Sequence, residues 1–191
     1  MSIEQTIGAA SDREATSTPP GTRWAYVLQS DPLARPMIDD LTNEYDSRYG
    51  FLGGEPASVE LARYPDAAFA PPHGAFLLLL ADGQEHSGGP GAHGAIAGGA
   101  FKRLDDETAE FKRIWTHADH RRKGLSRLVL AELEAEAVLR GYRRVYLTTG
   151  PRQPEAQRLY LNTGYTPLYD LTKPADEVGL HAFEKALPAR P

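Results

Sequence analysis

A chain of 191 residues with 41% hydrophobic and 25% charged side chains has the size and make-up of one soluble globular domain, long enough to bury most of its apolar surface in a single core. It contains no cysteine, which excludes disulfides, thiolate zinc sites and a cysteine nucleophile. A net charge of −5 argues against general affinity for nucleic acid or acidic membrane surfaces.

Residues 1–21 are rich in Ser, Thr, Ala, Glu and Pro with no apolar period, and read as a disordered tail before a single domain over residues 22–191. The start lacks the basic-then-apolar order of a signal peptide. The longest apolar run, residues 75–81, is too short to span a bilayer, so a cytoplasmic protein with no membrane partner is expected. Residues 24–28 read as the first strand. Asp31 and Pro32 then offer a helix N-cap and a first-turn proline, and Leu33, Met37, Leu41 and Tyr45 follow at steps of four on one apolar face. Residues 49–54 break that helix, and residues 56–64 suggest a second, short one. A strand over 76–81, a glycine-rich hairpin loop over 86–94 and a returning strand over 96–101 come next, the last weakened by its own glycines. Residues 109–116 are another strand, with an irregularity near Arg113.

Residues 124–140 carry the clearest helical period. Leu125, Val129, Leu133 and Ala137 share a face, Glu136 and Arg140 are correctly ordered for an i,i+4 pair, and Gly141 ends the helix. A strand over 144–148, a helix over Pro154–Asn162 closed by Gly164, and strands over 166–169 and 182–187 complete the chain. The order predicts an α/β domain with a mixed sheet and helices on its faces.

The chemistry concentrates where the 109–116 strand runs through a basic, glycine-containing turn into the long helix. Backbone N–H groups at a helix start lack intrahelical partners and carry the positive end of the dipole. Gly124 permits close approach, and Arg121, Arg122, Lys123 and Arg127 add charge, which together make a candidate pyrophosphate site. A solvated basic surface and a nucleic-acid patch are the competing readings. GxxxxGK[ST] is absent, and the one GxGxxG match, residues 89–94, falls in the glycine-rich hairpin loop rather than at a helix start, so a dinucleotide site has little support. His117 and His120, and separately His86 and His93, lack the ligand set of a metal site, so no metal is expected.

Residues 121–126, Arg-Arg-Lys-Gly-Leu-Ser, resemble the [RQ]xxGx[GA] signature of the GNAT family of CoA-dependent N-acyltransferases, with Ser126 replacing the final small residue. Upstream Glu-Phe-Lys-Arg-Ile-Trp-Thr resembles the family's core strand. Residues 148–166 resemble the following strand, loop and helix, and residues 181–187 its last strand. The resemblance implies a mixed, mostly antiparallel sheet splayed into a V with helices on both faces. It also implies acetyl-CoA as cosubstrate, a small amine as acceptor, and a dimer as a common assembly. Pantetheine would pair with the backbone of Ile114, Trp115 and Thr116, and the pyrophosphate would rest on Arg122, Lys123, Gly124, Leu125, Ser126 and Arg127 beside Arg121. Gln153 would contact the cofactor. Glu110 would act as general base and Tyr160 would protonate the leaving thiolate. A solvent-facing carboxylate and a packed aromatic are the alternatives for these two residues. Tyr45, Arg48 and Tyr49, and residues 171–179, would line the acceptor pocket, with Arg48 pairing an acceptor carboxylate. An acyl-CoA-binding module with a decayed site, and an acetyltransferase acting on protein lysines or N-termini, remain open.

Overall fold

The computed structural model describes residues 17–52, 55–85 and 93–190. Residues 1–16 of the tail expected over 1–21, and residues 86–92 of the loop expected over 86–94, with His86, lie outside them; residues 93–94 of that loop instead open a strand. The last residues of the expected tail, 18–21, form a turn tied to the first strand: Thr22 N–H donates to the Pro19 carbonyl at 3.1 Å.

In chain order the elements are β1 (Thr22–Tyr26), a 3-10 turn (Pro32–Ala34) running into α1 (Arg35–Tyr49), a small hairpin of β2 (Phe51–Leu52) and β3 (Glu55–Pro56), α2 (Val59–Ala62) and a second 3-10 turn (Asp66–Phe69). Then follow β4 (Ala75–Glu85), β5 (His93–Arg103), β6 (Thr108–Thr116), α3 (Leu125–Leu139), β7 (Arg144–Thr149), α4 (Pro154–Asn162), β8 (Thr166–Pro167), α5 (Ala175–Val178) and β9 (His181–Ala186). Asp31 caps the first turn as its chemistry predicts, its carboxylate accepting from Leu33 N at 2.8 Å. The strand expected over 166–169 shortens to two residues, and the short helix expected over 56–64 to four. No helix of the described residues is long and apolar enough to cross a membrane.

The main sheet has seven strands in the order β1-β4-β5-β6-β7-β9-β8. Every neighbouring pair is antiparallel except β6 and β7. Those two pair only from Thr108↔Arg144 to Phe111↔Leu147. Beyond that point β6 continues with β5 to Thr116, and β7 with β9 to Thr149. The sheet therefore opens into a V at the carboxyl ends of its one parallel pair.

Each face of the sheet carries its own apolar cluster. Leu77, Leu79, Phe101, Phe111, Val145, Leu147 and Phe183 pack under α3 and α4, and Phe76, Leu78, Leu80, Ala100 and Trp115 pack under α1. Leu125, Val129 and Leu133 of α3 are almost fully covered, each stabilising the fold by about 2 kcal/mol relative to exposure. The irregularity near Arg113 is a bulge. Arg113 takes φ 62°, and the β5–β6 register slips between Gly98 and Ala100. The extra residue returns Ile114 to the face of Phe111, under α3, and sends Trp115 to the face of α1.

The strand glycines prove to be packing sites. A Cβ on Gly98 would lie 2.8 Å from Met37 Sδ of α1, and one on Gly99 2.8 Å from Leu133 Cδ1 of α3. Glycine lets a helix approach from either side at the same place in β5. Gly74 is tighter still, since a Cβ there would meet the Ala68 carbonyl oxygen at 2.2 Å and Phe69 Cα at 2.7 Å. Backbone atoms cannot rotate away, so Gly74→Ala is expected to cost about 3 kcal/mol. Urea unfolding would register this as a lower midpoint at unchanged slope.

Candidate active site

One lip of the V is the end of β6. His117 N–H donates to the Ile96 carbonyl at 3.0 Å, so by strand alternation the Trp115 peptide faces β5, and the peptides of Ile114 and Thr116 face the opening. The Trp115 ring is buried and donates through Nε1 to Asp40 at 3.1 Å. From here a 3-10 turn (Ala118–His120) leads to the start of α3. Arg122 and Gly124 take left-handed backbone, with φ 63° and 78°, and Gly124 is the N-cap. The N–H groups of residues 122–126 find no acceptor among the described residues. Around them the side chains of Arg122, Lys123 and Arg127 are exposed and form no hydrogen bond or ion pair among those residues. Leu125 instead enters the core, and Ser126 Oγ meets Thr116 Oγ1 at 3.0 Å, tying the helix start to the strand. Arg121 Nε donates to the Thr116 carbonyl at 3.3 Å.

The other lip is the end of β7 and the start of α4. Gln153 is the residue before the helix. Its Oε1 accepts from Thr149 Oγ1 at 2.8 Å and from Gly150 N at 3.2 Å, so the amide oxygen organises the lip itself. Tyr160, one face further along α4, is 6% exposed and packs on the rings of Tyr165 and Phe183, at 5.7 and 5.4 Å between centroids. Burial, with the neighbouring Tyr45 phenol, pushes its pKa well above the ordinary phenol range. Its hydroxyl makes no hydrogen bond among the described residues.

α1 lies across the opening and touches both lips through Glu44. That carboxylate pairs with Arg121 at 3.5 Å and with Arg48 at 3.3 Å, and accepts from Gln153 Nε2 at 3.4 Å. The pair with Arg48 is local, at i,i+4, but nothing in the local sequence marks Glu44 as the link between the lips, because Arg121 and Gln153 lie far along the chain. Arg48, expected to await an acceptor carboxylate, is taken: it pairs with Glu155 and donates to the Arg152 carbonyl. Tyr49 lies against the β7 lip, where a Cβ on Gly150 would fall 2.0 Å from its hydroxyl.

Glu110 is neither solvent-facing nor free. It lies 9% exposed on the α1 side of the sheet, bonded to Lys102 Nζ at 2.6 Å and Lys112 Nζ at 3.2 Å. Lys102 is its cross-strand partner on β5. Lys112 reaches on to Glu60 of α2 at 3.1 Å, and the Tyr64 ring lies 5.0 and 5.2 Å from the two ammonium groups. Burial pulls the Glu110 pKa up. The hydrogen bond from Lys102 and the charges of Lys112 and Lys102 outweigh it and hold the carboxyl below its usual range. Sequence order alone does not announce this cluster, because the pairing with Lys102 depends on the β5–β6 register.

A mixed sheet that parts at its one parallel pair, with a helix start of free N–H groups at the parting, defines an acyl-CoA N-acyltransferase fold. The model of the acetyltransferase (GNAT) family matches residues 38–165, and the chain belongs to that family, whose acyl donor is acetyl-CoA. A relative in Bacillus subtilis (strain 168), named as the uncharacterized N-acetyltransferase YsnE, is 41% identical over 69 residues, which is 35% of this chain and 46% of that protein. The chain thus spans about half the length of that relative. Among solved structures, an acetyltransferase from Thermus thermophilus superposes with a TM-score of 0.60 at 21% identity, over 91% of this chain and 99% of that one. An acetyltransferase from Streptococcus agalactiae 2603 gives 0.61 at 18%, over 88% and 99%. YncA from Salmonella typhimurium, solved with its cofactor acetyl-CoA, gives 0.60 at 16%, over 88% and 95%. These likenesses are of fold.

Proposed function

We propose that the protein transfers an acetyl group from acetyl-CoA to a primary amine of a small molecule, by direct attack within a ternary complex. The observation that carries this reading is the V itself, with outward-facing backbone on its β6 lip leading into a cationic, unsatisfied helix start. Five N–H groups and the side chains of Arg122, Lys123 and Arg127 suit a pyrophosphate. Arg121, Gly124, Leu125 and Ser126 shape that turn. The outward peptides of Ile114 and Thr116, with Trp115 between them, suit an amide-bearing chain laid along the strand edge. Gln153 would meet it from the other lip. The amine nitrogen bonds to the thioester carbonyl carbon, the carbon–sulfur bond breaks, and the departing thiolate takes its proton from Tyr160. Glu110, held ionised by two lysines, suits steadying the acceptor's ammonium and receiving its proton through water better than it suits strong base chemistry.

Calorimetry tests the cofactor half of the reading. Acetyl-CoA should bind in the micromolar range, about −7 to −9 kcal/mol, and more weakly as salt is added. At Gly124 a Cβ would enter open space, so Gly124→Asp adds chiefly a negative charge at the helix start, with some backbone strain at φ 78°. The variant should lose about 10-fold or more in affinity. Unchanged affinity would remove the basis of the reading. Release of thiol on mixing with a panel of amines tests the transfer half.

A further inference from the structure

Arg113 is a buried cation with no counterion beside it. It is 4% exposed on the β6 bulge, with its guanidinium 4.4 Å from the Phe69 ring centroid. Nη2 donates to the Leu61 carbonyl of α2 at 2.6 Å. Nε and Nη1 are sealed from solvent and meet no acceptor. No carboxylate among the described residues comes within ion-pair distance. Glu60 and Asp66 act on it only across space: Glu60 is taken by Lys112 at 3.1 Å, and Asp66 accepts the Ser30 hydroxyl. A stranded guanidinium with unmet N–H groups destabilises a fold that an apolar side chain of similar size would suit better. The position therefore calls for a ligand that the chain itself does not supply.

Its neighbours connect it to the reaction. Lys112, the adjacent residue, bonds to both Glu110 and Glu60. The Tyr45 phenol, pushed up to about 12 by burial and Glu60 against the charges of Lys112 and Arg113, is also the neighbour felt by Tyr160. Around this point Lys102, Lys112 and Arg113 face Glu110 and Glu60, with Asp66 at longer range, so the near group is one negative charge short. A polycationic acceptor would add to the imbalance, whereas an anionic group would cancel it.

We propose that Arg113 anchors a carboxylate of the acceptor, so that the amine acetylated belongs to an amino acid or a related amino carboxylate. This rests on the transferase reading above. The turn that covers Arg113, α2, is four residues long and holds it through one carbonyl, so it is the element that yields as the carboxylate enters.

The test compares amino acids with the amines of the same side chain that lack the carboxylate, in the wild type and in Arg113→Gln and Arg113→Lys. At least one amino acid should exceed its counterpart by about 10-fold or more in kcat/KM. Arg113→Gln should raise KM for that amino acid by about 10–10²-fold while moving KM for the carboxylate-free amine by no more than about 3-fold. Arg113→Lys, which keeps the charge, should recover part of the loss. A panel in which no amino acid outperforms its counterpart overturns the assignment on the wild type alone. So does a variant that raises both KM values equally, which would make Arg113 a strut of the fold. Acetyl-CoA calorimetry on the same preparations separates the two readings. Intact binding with no carboxylate preference rejects the anchor alone, and absent binding rejects the transferase with it.

Discussion

Tyr160→Phe is expected to lower kcat by about 10–10³-fold while leaving the fold and acetyl-CoA affinity intact. Phe fills nearly the same volume, so the contacts with Tyr165 and Phe183 survive, and only the hydroxyl is removed. That hydroxyl is held protonated by burial, which keeps it a hydrogen-bond donor while making it a weaker acid. The charge it would meet, on the departing sulfur, develops as the carbon–sulfur bond breaks. Its stabilisation therefore belongs to the transition state and reads out in kcat. The measurement needs an acceptor for which chemistry limits turnover. Wild-type kcat in the variant would leave Tyr160 a packing residue of α4.

Glu110→Gln should reduce turnover by about 10²-fold with little change in cofactor affinity. It should also weaken the fold, since Lys102 loses the carboxylate beside it and Lys112 keeps only Glu60, which leaves one mostly buried ammonium without its ion pair; the cost is about 2 kcal/mol. The pH dependence has a definite sign. The folded-state pKa of Glu110 lies below its unfolded value, so its contribution is fully present above the unfolded carboxylate range and is lost as pH falls through the folded pKa. The variant should therefore show a flatter acid limb in stability against pH than the wild type. Full activity at neutral pH would remove Glu110 from the chemistry and leave it a structural carboxylate.

What could be read in advance was what depends on neighbours in sequence. The α3 face of Leu125, Val129 and Leu133, the Asp31 cap and the Arg113 bulge follow from spacing and residue type within a few positions. The cationic turn was equally visible, because every part of it lies within residues 121–127. What was hidden depends on register and on contacts far apart in the chain. Lys102 reaches Glu110 only because β5 pairs with β6 in one register, and that register is itself shifted by the bulge. Glu44 meets Arg121 and Gln153 across separations of 77 and 109 residues. Arg48 looked available because its partner Glu155 lies on a helix that local pattern cannot bring alongside α1. The glycines of β5 counted against a strand in propensity terms, yet tertiary packing on both faces requires them.

The parting of β6 from β7 also shapes the electric field of the molecule. α3 and α4, of 15 and 9 residues, each begin just beyond the carboxyl end of one strand of the parallel pair, so two backbone dipoles turn their positive ends toward the same gap. Apolar walls under both helices keep the local dielectric low and concentrate that potential rather than letting water disperse it. A chain whose net charge is −5 thus carries an electropositive slot among its described residues. Such a molecule is expected to disfavour extended polyanions, whose charges must also lie along the acidic remainder of the chain. It admits a slender anion that enters end-on, and does so at a rate that falls as ionic strength screens the slot.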